Sequence, residues 1–298
     1  MLRRKSGNAQ PKLNVEDVCH IPIPVFSEAF YKQISKLVLA SEVALKSAKS
    51  LFTTTEQYLL NSFGFSDFVP SDNKISIRGL ADTVRSSNRI DAEYYQQRYE
   101  DIENAICSNE IVFCRVNEGL FTPHNGDYKY IELSDIGTLG NITGCTVAPF
   151  EKLPSRARRM VKSGEVIVSS IEGSLSSCAL IPNEYDGALC STGFYIVESS
   201  SVNSETLFVL FKSAPIQALM KKGCSGTILS AISKSALEKI PLPKIAAPDQ
   251  RIIASNVQKS FSLRHQSEQL LDMAKRTVEI AIEDDENTAM KWLGEYGH

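Results

Sequence analysis

The chain has 298 residues, 43% of them hydrophobic and 22% charged, with a formal net charge of −3. This length suits one large domain or two modest ones, no apolar run reaches the ~18 residues that a membrane-spanning helix needs, and the acidic balance argues weakly against nucleic acid as a partner. The basic segment at residues 1–14 has no apolar core behind it, so we predict no secretory signal and expect a cytoplasmic protein.

The cysteine and histidine pattern excludes the common metal and redox motifs. Seven cysteines and four histidines are scattered along the chain, and no CxxC pair occurs. Zinc-finger and thioredoxin spacings are therefore absent, and we expect reduced, buried thiols. We predict that the chain holds no metal and no cofactor of its own.

Two proline signals mark the ends of the chain. The sequence IPIP at 21–24 and the sequence IPLP at 240–243 are related by a shift of 219 residues. The apolar positions that follow each signal coincide at helical spacing when the same shift is applied. We interpret this pattern as an internal repeat of one structural element.

Each signal precedes a long stretch with the heptad spacing of a coiled coil. In the first stretch the seam positions are Phe30, Ile34, Leu37, Ser41, Ala44, Ala48, Leu51, Thr55 and Tyr58. In the second they are Ile253, Val257, Leu271, Ala274, Val278 and Ala281, with Arg264 and Ser267 as interruptions. Pro248 and Asp249 form a good helix start, because proline needs no N–H partner there and the acid favours the positive end of the helix dipole. We predict that the two helices pair in an antiparallel coiled coil, with ordinary bundle helices as the alternative.

The segment between these helices has short β-like runs separated by Gly, Pro, Asn and Asp. The predicted strands lie at 110–116, 128–136, 165–171, 176–181 and 194–199. Helices are predicted at 92–105, 204–212 and 215–222. These elements indicate an α+β protein, with one globular domain built on a curved antiparallel or mixed sheet and flanked by the two long helices.

Signatures of catalysis are missing. The sequence contains no GxxxxGK[ST], GxSxG or HExxH motif and no GxGxxG after a strand. The glycine-rich stretch at 137–144 lacks a lysine and a clear following helix, so we interpret it as a loop with tight turns. The acidic run at 283–286 is interpreted as a solvated helix end. We therefore predict a binding protein that is not an enzyme.

Three features indicate a binding surface. Residues 154–162 concentrate positive charge, and arginine can grip a phosphate or a guanine edge. Residues 221–237 place two lysines before a Gly- and Ser-rich turn, where backbone and hydroxyl donors can meet phosphate, and residues 168–182 form a hairpin-like pair of strands. The alternatives for the three are a solvated basic helix face, a plain connection between helices, and a core hairpin. The candidate DNA-binding residues are Arg156, Arg158, Arg159, Lys162, Ser170, Ser174, Lys221, Lys222, Ser225 and Thr227.

The chain resembles the DNA-specificity (S) subunits of type I restriction-modification systems. The stretches that carry the resemblance are RIDAEYYQ at 89–96, YIELSDI at 130–136, SGEVIVSSIEGSLSSCALIP at 163–182, and KKGCSGTILSAISKSALEKIPLPKIAAPDQRIIA at 221–254. In the family, a Gly-Ser turn precedes an IPLP strand, and a short spacer then leads to a pair of residues that opens a long helix. Here Pro248-Asp249-Gln250 occupies that opening, and the resemblance extends over nearly the whole chain.

The resemblance implies a non-catalytic reader of double-stranded DNA in a half-length form. In the family, each target recognition domain reads one part of a bipartite site, and long helices space two such domains and dock modification subunits. Those partners carry S-adenosylmethionine and methylate adenine, and a separate restriction subunit cleaves DNA. This chain departs from the plan because one recognition domain is flanked by both helices. The implied division is a stub at 1–20, a spacer helix at 21–65, a target recognition domain at 70–243 and a second spacer helix at 246–290.

One recognition domain supplies half of a bipartite site. A two-fold homodimer supplies two and reads a palindromic target, and a complementary fragment that carries the other domain is the alternative. Base-reading loops are predicted at 117–127 and 138–162 from their irregular polar character. A coiled-coil adaptor whose central domain binds protein is a competing hypothesis. A nuclease is a third, although no PD-(D/E)xK pattern stands out.

Overall fold

The computed structural model describes residues 15–296, apart from 74, 82, 84–88, 118–119, 123, 125 and 227–228. The chain folds into two compact units. One unit comprises the described residues up to Lys46 together with those from Leu263 onwards, and the other comprises Ser47–Ser262. In the part of the chain that is described, no helix is long and apolar enough to cross a membrane.

Long helices lie near both ends of the chain, and short helices and strands lie between them. The helices are α1 (Val15–Cys19), α2 (Glu28–Ser62), α3 (Gln97–Cys107), α4 (Ser204–Lys212), α5 (Ala214–Gly223), α6 (Lys234–Leu237), α7 (Ala247–Glu283) and α8 (Glu286–Tyr296). The strands are β1 (Ile111–Val112), β2 (Arg115–Asn117), β3 (Asp127–Ile131), β4 (Thr146–Pro149), β5 (Ala157–Met160), β6 (Val166–Ser169), β7 (Cys178–Leu180), β8 (Leu189–Ser191), β9 (Phe194–Glu198), β10 (Cys224–Ser225), β11 (Ala231–Ile232) and β12 (Leu242–Pro243). The α+β class predicted from the sequence is confirmed.

In the first unit, α2 and α7 pack side by side in opposite directions. Ser41 of α2 contacts Ser267 of α7, whereas Phe30, earlier in α2, packs in one cluster with Ile280 and Ala281, later in α7. Earlier residues of one helix therefore meet later residues of the other. Ala289 of α8 completes this cluster and is fully buried.

The same antiparallel pairing occurs in the second unit. The Ser260 hydroxyl of α7 donates to the Ala48 carbonyl of α2 at 2.8 Å. The Tyr58 hydroxyl, later in α2, donates to the carboxylate of Asp249, earlier in α7, at 2.6 Å. The predicted antiparallel pairing of the two long helices is confirmed.

The helix seam differs from the predicted heptads in two places. Ser267, which the heptad pattern marks as an interruption, is only 5% exposed and contacts α2 directly. Leu271, predicted as a seam residue, is 38% exposed. Small buried residues such as Ser41 and Ala44 allow the two backbones to approach closely, so a short hydroxyl on one helix reaches a carbonyl on the other. A pattern based on hydrophobicity does not detect this kind of seam.

Gln250 ties the start of α7 to the preceding chain. Its side-chain carbonyl accepts a hydrogen bond from the Asn203 backbone N–H at 2.8 Å, and its amide donates to the carbonyls of Ser201 and Ile245 at 2.9 and 2.8 Å. Asn203 is the N-cap of α4, where its side chain accepts from the Thr206 backbone N–H. One side chain therefore links the starts of two helices to the chain just after the IPLP segment.

The strands of the second unit form two four-stranded sheets and two short pairs. One four-stranded sheet is antiparallel throughout, in the order β2-β9-β6-β7, and the other is mixed, in the order β4-β3-β8-β5, with β3 and β8 parallel. The short pairs are β1-β12 and β10-β11. The sequence predicted one curved antiparallel or mixed sheet, whereas the structure has one antiparallel and one mixed sheet. Strand patterns alone do not show which strands share a sheet, so the sequence could not separate the two.

Three apolar clusters hold the second unit together. The largest packs α4 and α5 against the antiparallel sheet and against helix residues such as Phe52 and Val257. A second lies between the two sheets and includes Ile131 of β3 and Ile167 of β6. The third covers the other face of the mixed sheet around Tyr130, which is fully buried. The mixed sheet therefore has a face that carries aromatic residues and points away from the main core.

The glycine-rich stretch at 137–144 is a loop with tight turns, as predicted. Gly140 has φ +75°, and a Cβ atom at this position would lie 2.6 Å from the Cys178 carbonyl oxygen and even closer to the Phe208 ring. Lys212 of α4 donates to the carbonyls of Thr138 and Ser176 at 2.8 and 3.0 Å. Burial lowers the pKa of Lys212, and nearby negative charge opposes that shift only in part. The loop is therefore fixed to the core by a glycine contact and by the ammonium of a partly buried lysine.

Several predicted elements differ from the structure at their edges. The helix predicted at 204–212 has the observed bounds, and the helix predicted at 92–105 begins only at Gln97 because residues 92–95 form a turn. The prediction that 138–162 is an irregular loop is wrong, because β4, a 3-10 turn at Phe150–Lys152 and β5 lie within it. Residues 1–14 of the predicted stub lie outside the described residues. The division into stub, spacers and recognition domain stays a prediction.

Candidate nucleic-acid interface

The basic cluster at 154–162 lies on a strand. β5 pairs antiparallel with β8, and the register shifts between Ala157 and Arg159, so Arg158 is the extra residue of a β-bulge. Ala157 and Arg159 are buried, whereas Arg158 is exposed. The alternative of a solvated basic helix face is therefore wrong. Bulges re-aim side chains and occur often beside functional sites.

Arg158 presents its charge to solvent. Its Nε donates to the Ser155 carbonyl at 3.1 Å, and its guanidinium lies 5.3 Å from the centre of the Phe150 ring. It forms no ion pair with any acidic residue that the structure describes. The charge is therefore held in place by an aromatic face and is not neutralised.

Arg156 lies just before β5, and its guanidinium has hydrogen-bond partners for some of its N–H groups. Its Nε donates to the Tyr130 hydroxyl at 3.2 Å, and its Nη2 lies 3.3 Å from a Glu132 carboxylate oxygen. Hydrogen bonding to Tyr130, and secondarily to Glu132, raises the pKa of Arg156. The side chain is still 57% exposed. Since exposed ion pairs are weak, this guanidinium can exchange Glu132 for a stronger anion.

An aromatic cluster, which the sequence pattern does not predict, lies beside Arg158. The rings of Phe121 and Tyr128 are 5.8 Å apart, and those of Tyr128 and Phe150 are 6.4 Å apart, both edge to face. His124 lies 6.3 Å from Phe121 and is exposed. These aromatic residues come from three separate segments, so no local sequence motif predicts the cluster. We call Phe121, Tyr128, Phe150 and Arg158 the aromatic-arginine surface.

Arg159 and Lys162 have opposite environments. Arg159 is only 7% exposed, its guanidinium lies 5.3 Å from the centre of the Tyr195 ring, and its Nε and Nη1 have no hydrogen-bond partner. Lys162 is exposed, and its backbone N–H donates to Glu165 at 2.8 Å. The four basic residues of the cluster therefore do not form one continuous exposed patch.

The two candidate serines of the hairpin are engaged inside the fold. Ser170 is 6% exposed, and its hydroxyl donates to the Gly193 carbonyl at 2.9 Å. The Ser174 hydroxyl lies 2.9 Å from the Ser169 hydroxyl within a 3-10 turn. Their contribution to DNA binding stays a prediction, but these contacts fit a structural role for both hydroxyls.

The two lysine candidates of the 221–227 segment contact the RIDAEYYQ stretch. The Nζ of Lys222 lies 2.6 Å from a Glu103 carboxylate oxygen and 5.1 Å from the centre of the Tyr94 ring, and its side chain is 14% exposed. Lys221 is more exposed, and its Nζ lies 3.8 Å from a Glu93 carboxylate oxygen. Ser225 is exposed on β10, and Thr227 lies outside the described residues. The structure therefore divides the predicted residues into separate groups.

A small polar cavity of about 190 Å³ lies beside Lys222. It is lined by Arg78, Tyr94, Tyr95, Gln96, Glu100 and Lys222. Arg78 pairs with Glu100, and Arg89 pairs with Asp91 at 2.6 Å while stacking on Tyr94. Opposite charges largely cancel around this cavity, so it is a weaker candidate for an anion than the exposed face of β5.

The cysteines behave as buried structural residues in the core and as free thiols elsewhere. Burial raises the pKa of the thiols of Cys114, Cys178 and Cys190 to about 12. Cys19 and Cys107 are exposed, so the expectation of buried thiols is wrong for these two. Among the described residues, no group of three or more His, Cys, Asp or Glu side chains is placed to hold a metal ion.

Comparison with known proteins returned structures but no family model and no curated protein. A structure described as "Structural basis underlying complex assembly and conformational transition of the type I R-M system" shares 24% identity at a TM-score of 0.41, and the HsdS subunit from Thermoanaerobacter tengcongensis shares 25% at 0.38. Each match covers 57% of this chain and 48% or 49% of the other, so this chain spans about half of their length. The type I restriction-modification S subunit from M. genitalium shares 13% identity at a TM-score of 0.41, over 97% of this chain and 67% of that one. These descriptions name the family that the sequence resembles.

Proposed function

We propose that this chain is the DNA-recognition subunit of a type I restriction-modification system and that it catalyses no reaction itself. The observation that carries the proposal is the aromatic-arginine surface, where an exposed arginine stacks on Phe150 without a described acidic partner. A guanidinium in this state attracts phosphate and can grip a guanine edge, and aromatic rings beside it offer apolar contact to bases. The resemblance of 163–182 and 221–254 to the family supports the same function.

The net charge of −3 argues only weakly against this proposal. Binding responds to the local field, and Arg156 and Arg158 concentrate positive charge on one strand end. The low total charge instead predicts weak affinity for DNA in isolation. In this proposal, modification subunits supply much of the remaining phosphate contact.

The paired helices fit a spacer and docking role. Both units contain an antiparallel α2–α7 pair, and a stiff pair can hold a recognition domain at a set distance from a second one. We propose a two-fold homodimer that supplies the second domain and reads a palindromic bipartite target. Modification subunits that carry S-adenosylmethionine would dock on this scaffold and methylate adenine, and a restriction subunit would cleave.

The proposal is tested by methylation mapping and DNA binding. The chain is co-expressed with its neighbouring modification subunit, and methylated adenines are mapped across the host genome. We expect one bipartite motif to be methylated, and we expect Arg156→Ala/Arg158→Ala to reduce that methylation. If no duplex is bound with or without the modification subunit, and no adenine is methylated, the protein-binding adaptor becomes the better interpretation.

A further inference from the structure

Arg159 is a buried cation whose hydrogen-bonding capacity is unmet. It is 7% exposed, and its Nε and Nη1 have no partner. The Tyr195 ring, with its centre 5.3 Å away, covers the guanidinium, but a ring face provides no acceptor for N–H groups that lie in the guanidinium plane. Burying a charge without acceptors costs folding free energy. The fold therefore retains a destabilising group at this position.

Within the basic cluster at 154–162, Arg159 alone has buried guanidinium nitrogens without a partner. Arg156 donates to Tyr130 and Glu132, and Arg158 donates to Ser155. Met160, the next residue on β5, fills its position with an apolar side chain. An apolar residue would fill the Arg159 position without an unpaired charge. Destabilising groups of this kind are retained where they serve function.

Arg159 lies beside the exposed surface, although its side chain and that of Arg158 pack on different rings, Tyr195 and Phe150. The two residues are adjacent on β5 at the β-bulge, which brings two successive residues opposite one residue of β8. Leu120 bridges to Arg159 and is 71% exposed, so the surface begins directly beside the buried guanidinium. Two exposed positions, Arg158 and Leu120, therefore flank the buried guanidinium.

We propose that Arg159 is a specificity- or affinity-determining residue, whose side chain turns from the Tyr195 ring towards the surface beside Leu120 to bind a hydrogen-bond acceptor of DNA. This proposal rests on the proposed function. The acceptor is a phosphate oxygen or the edge of a guanine, since a planar guanidinium suits both. Binding supplies the partner that Nε and Nη1 lack in the free protein.

The test compares Arg159→Met and Arg159→Lys with the parent chain. Affinity is measured with the modification subunit present, on a duplex that carries the mapped methylation motif and on an unrelated duplex of equal length, over a range of salt and well below each variant's unfolding midpoint. We expect Arg159→Met to weaken binding about tenfold or more and to raise the midpoint by about 2 °C or more, because an unpaired charge is removed. Arg159→Lys keeps the charge but loses the planar fork, so its affinity should also fall.

The pattern of loss identifies the acceptor. Weaker binding of both duplexes, with a salt slope reduced by about one, identifies a phosphate. Weaker binding of the motif duplex alone identifies a base edge. Unchanged affinity for both duplexes in Arg159→Met overturns the proposal, as does a loss of affinity for the modification subunit alone, which would identify a protein carboxylate as the partner. If the parent itself binds neither duplex, the proposed function fails, and this inference fails with it.

Discussion

Ser41 and Ser267 donate to each other's main chain across the helix pair of the first unit. The Ser41 hydroxyl lies 2.9 Å from the Ser267 carbonyl oxygen, and the Ser267 hydroxyl lies 2.8 Å from the Ser41 carbonyl oxygen. Both residues are 5% exposed. This reciprocal pair requires close backbones, and Ser260 repeats the same contact to Ala48 in the second unit. The helix pair is therefore held by small polar residues as well as by apolar ones.

We predict that enlarging this seam costs more than removing its hydroxyls. Ser41→Ala removes one hydrogen bond and should lower the free energy of unfolding by ~1 kcal/mol. Ser41→Leu forces the backbones apart and should cost ~1–3 kcal/mol. Urea unfolding followed by circular dichroism measures both, with Ser35→Ala on the exposed face of α2 as the control. If Ser41→Leu is as stable as the parent, the helices do not approach closely.

A second prediction concerns the loop that α4 supports. Gly140→Ala should cost ~2–4 kcal/mol, because it introduces a Cβ against the Phe208 ring and forces alanine into a positive φ. Gly144→Ala, in the same loop, has no atom within 4 Å of the new Cβ and should be nearly neutral. Unfolding midpoints of the two variants give the comparison. Equal midpoints would mean that the loop does not pack on α4 as described.

The third prediction concerns acid sensitivity. Hydrogen bonding from Tyr99, and then the charges of Lys221 and Arg98, lowers the pKa of Glu93 from its ordinary value of 4.5. A lowered pKa means that the unfolded chain binds the proton more readily, so the stabilisation is present above the ordinary pKa and is lost as the pH falls through the lowered one. Glu93→Gln should therefore lose less stability than the parent between about pH 5 and pH 3. Unfolding free energies at both pH values test this, with exposed Glu151→Gln as the control. A parent and Glu93→Gln with the same pH dependence would contradict it.

The sequence predicted the long-range architecture better than the site. The paired helices follow from two proline signals and a repeat, and α4 follows from its apolar run after Asn203. β5 was missed because its adjacent arginines indicate an exposed segment, whereas Arg159 is buried. β8 has only three residues, too few for a strand pattern. The aromatic-arginine surface depends on tertiary packing of distant segments, which no local spacing encodes.

The last prediction separates the two predicted groups of basic residues. Arg158 is exposed without a described acidic partner, so Arg158→Ala should weaken DNA binding and reduce the salt slope by about one. Lys222 is paired with Glu103 and 14% exposed, so Lys222→Ala should leave the slope unchanged and lower stability, because it leaves Glu103 without its partner. Fluorescence anisotropy with a labelled duplex, repeated over a salt series with the modification subunit present, measures the slopes, and exposed Lys239→Ala serves as the control. If the salt slope falls in Lys222→Ala and stays unchanged in Arg158→Ala, the DNA interface lies at the RIDAEYYQ stretch and not at β5. An unchanged slope in both would remove both residues from the interface.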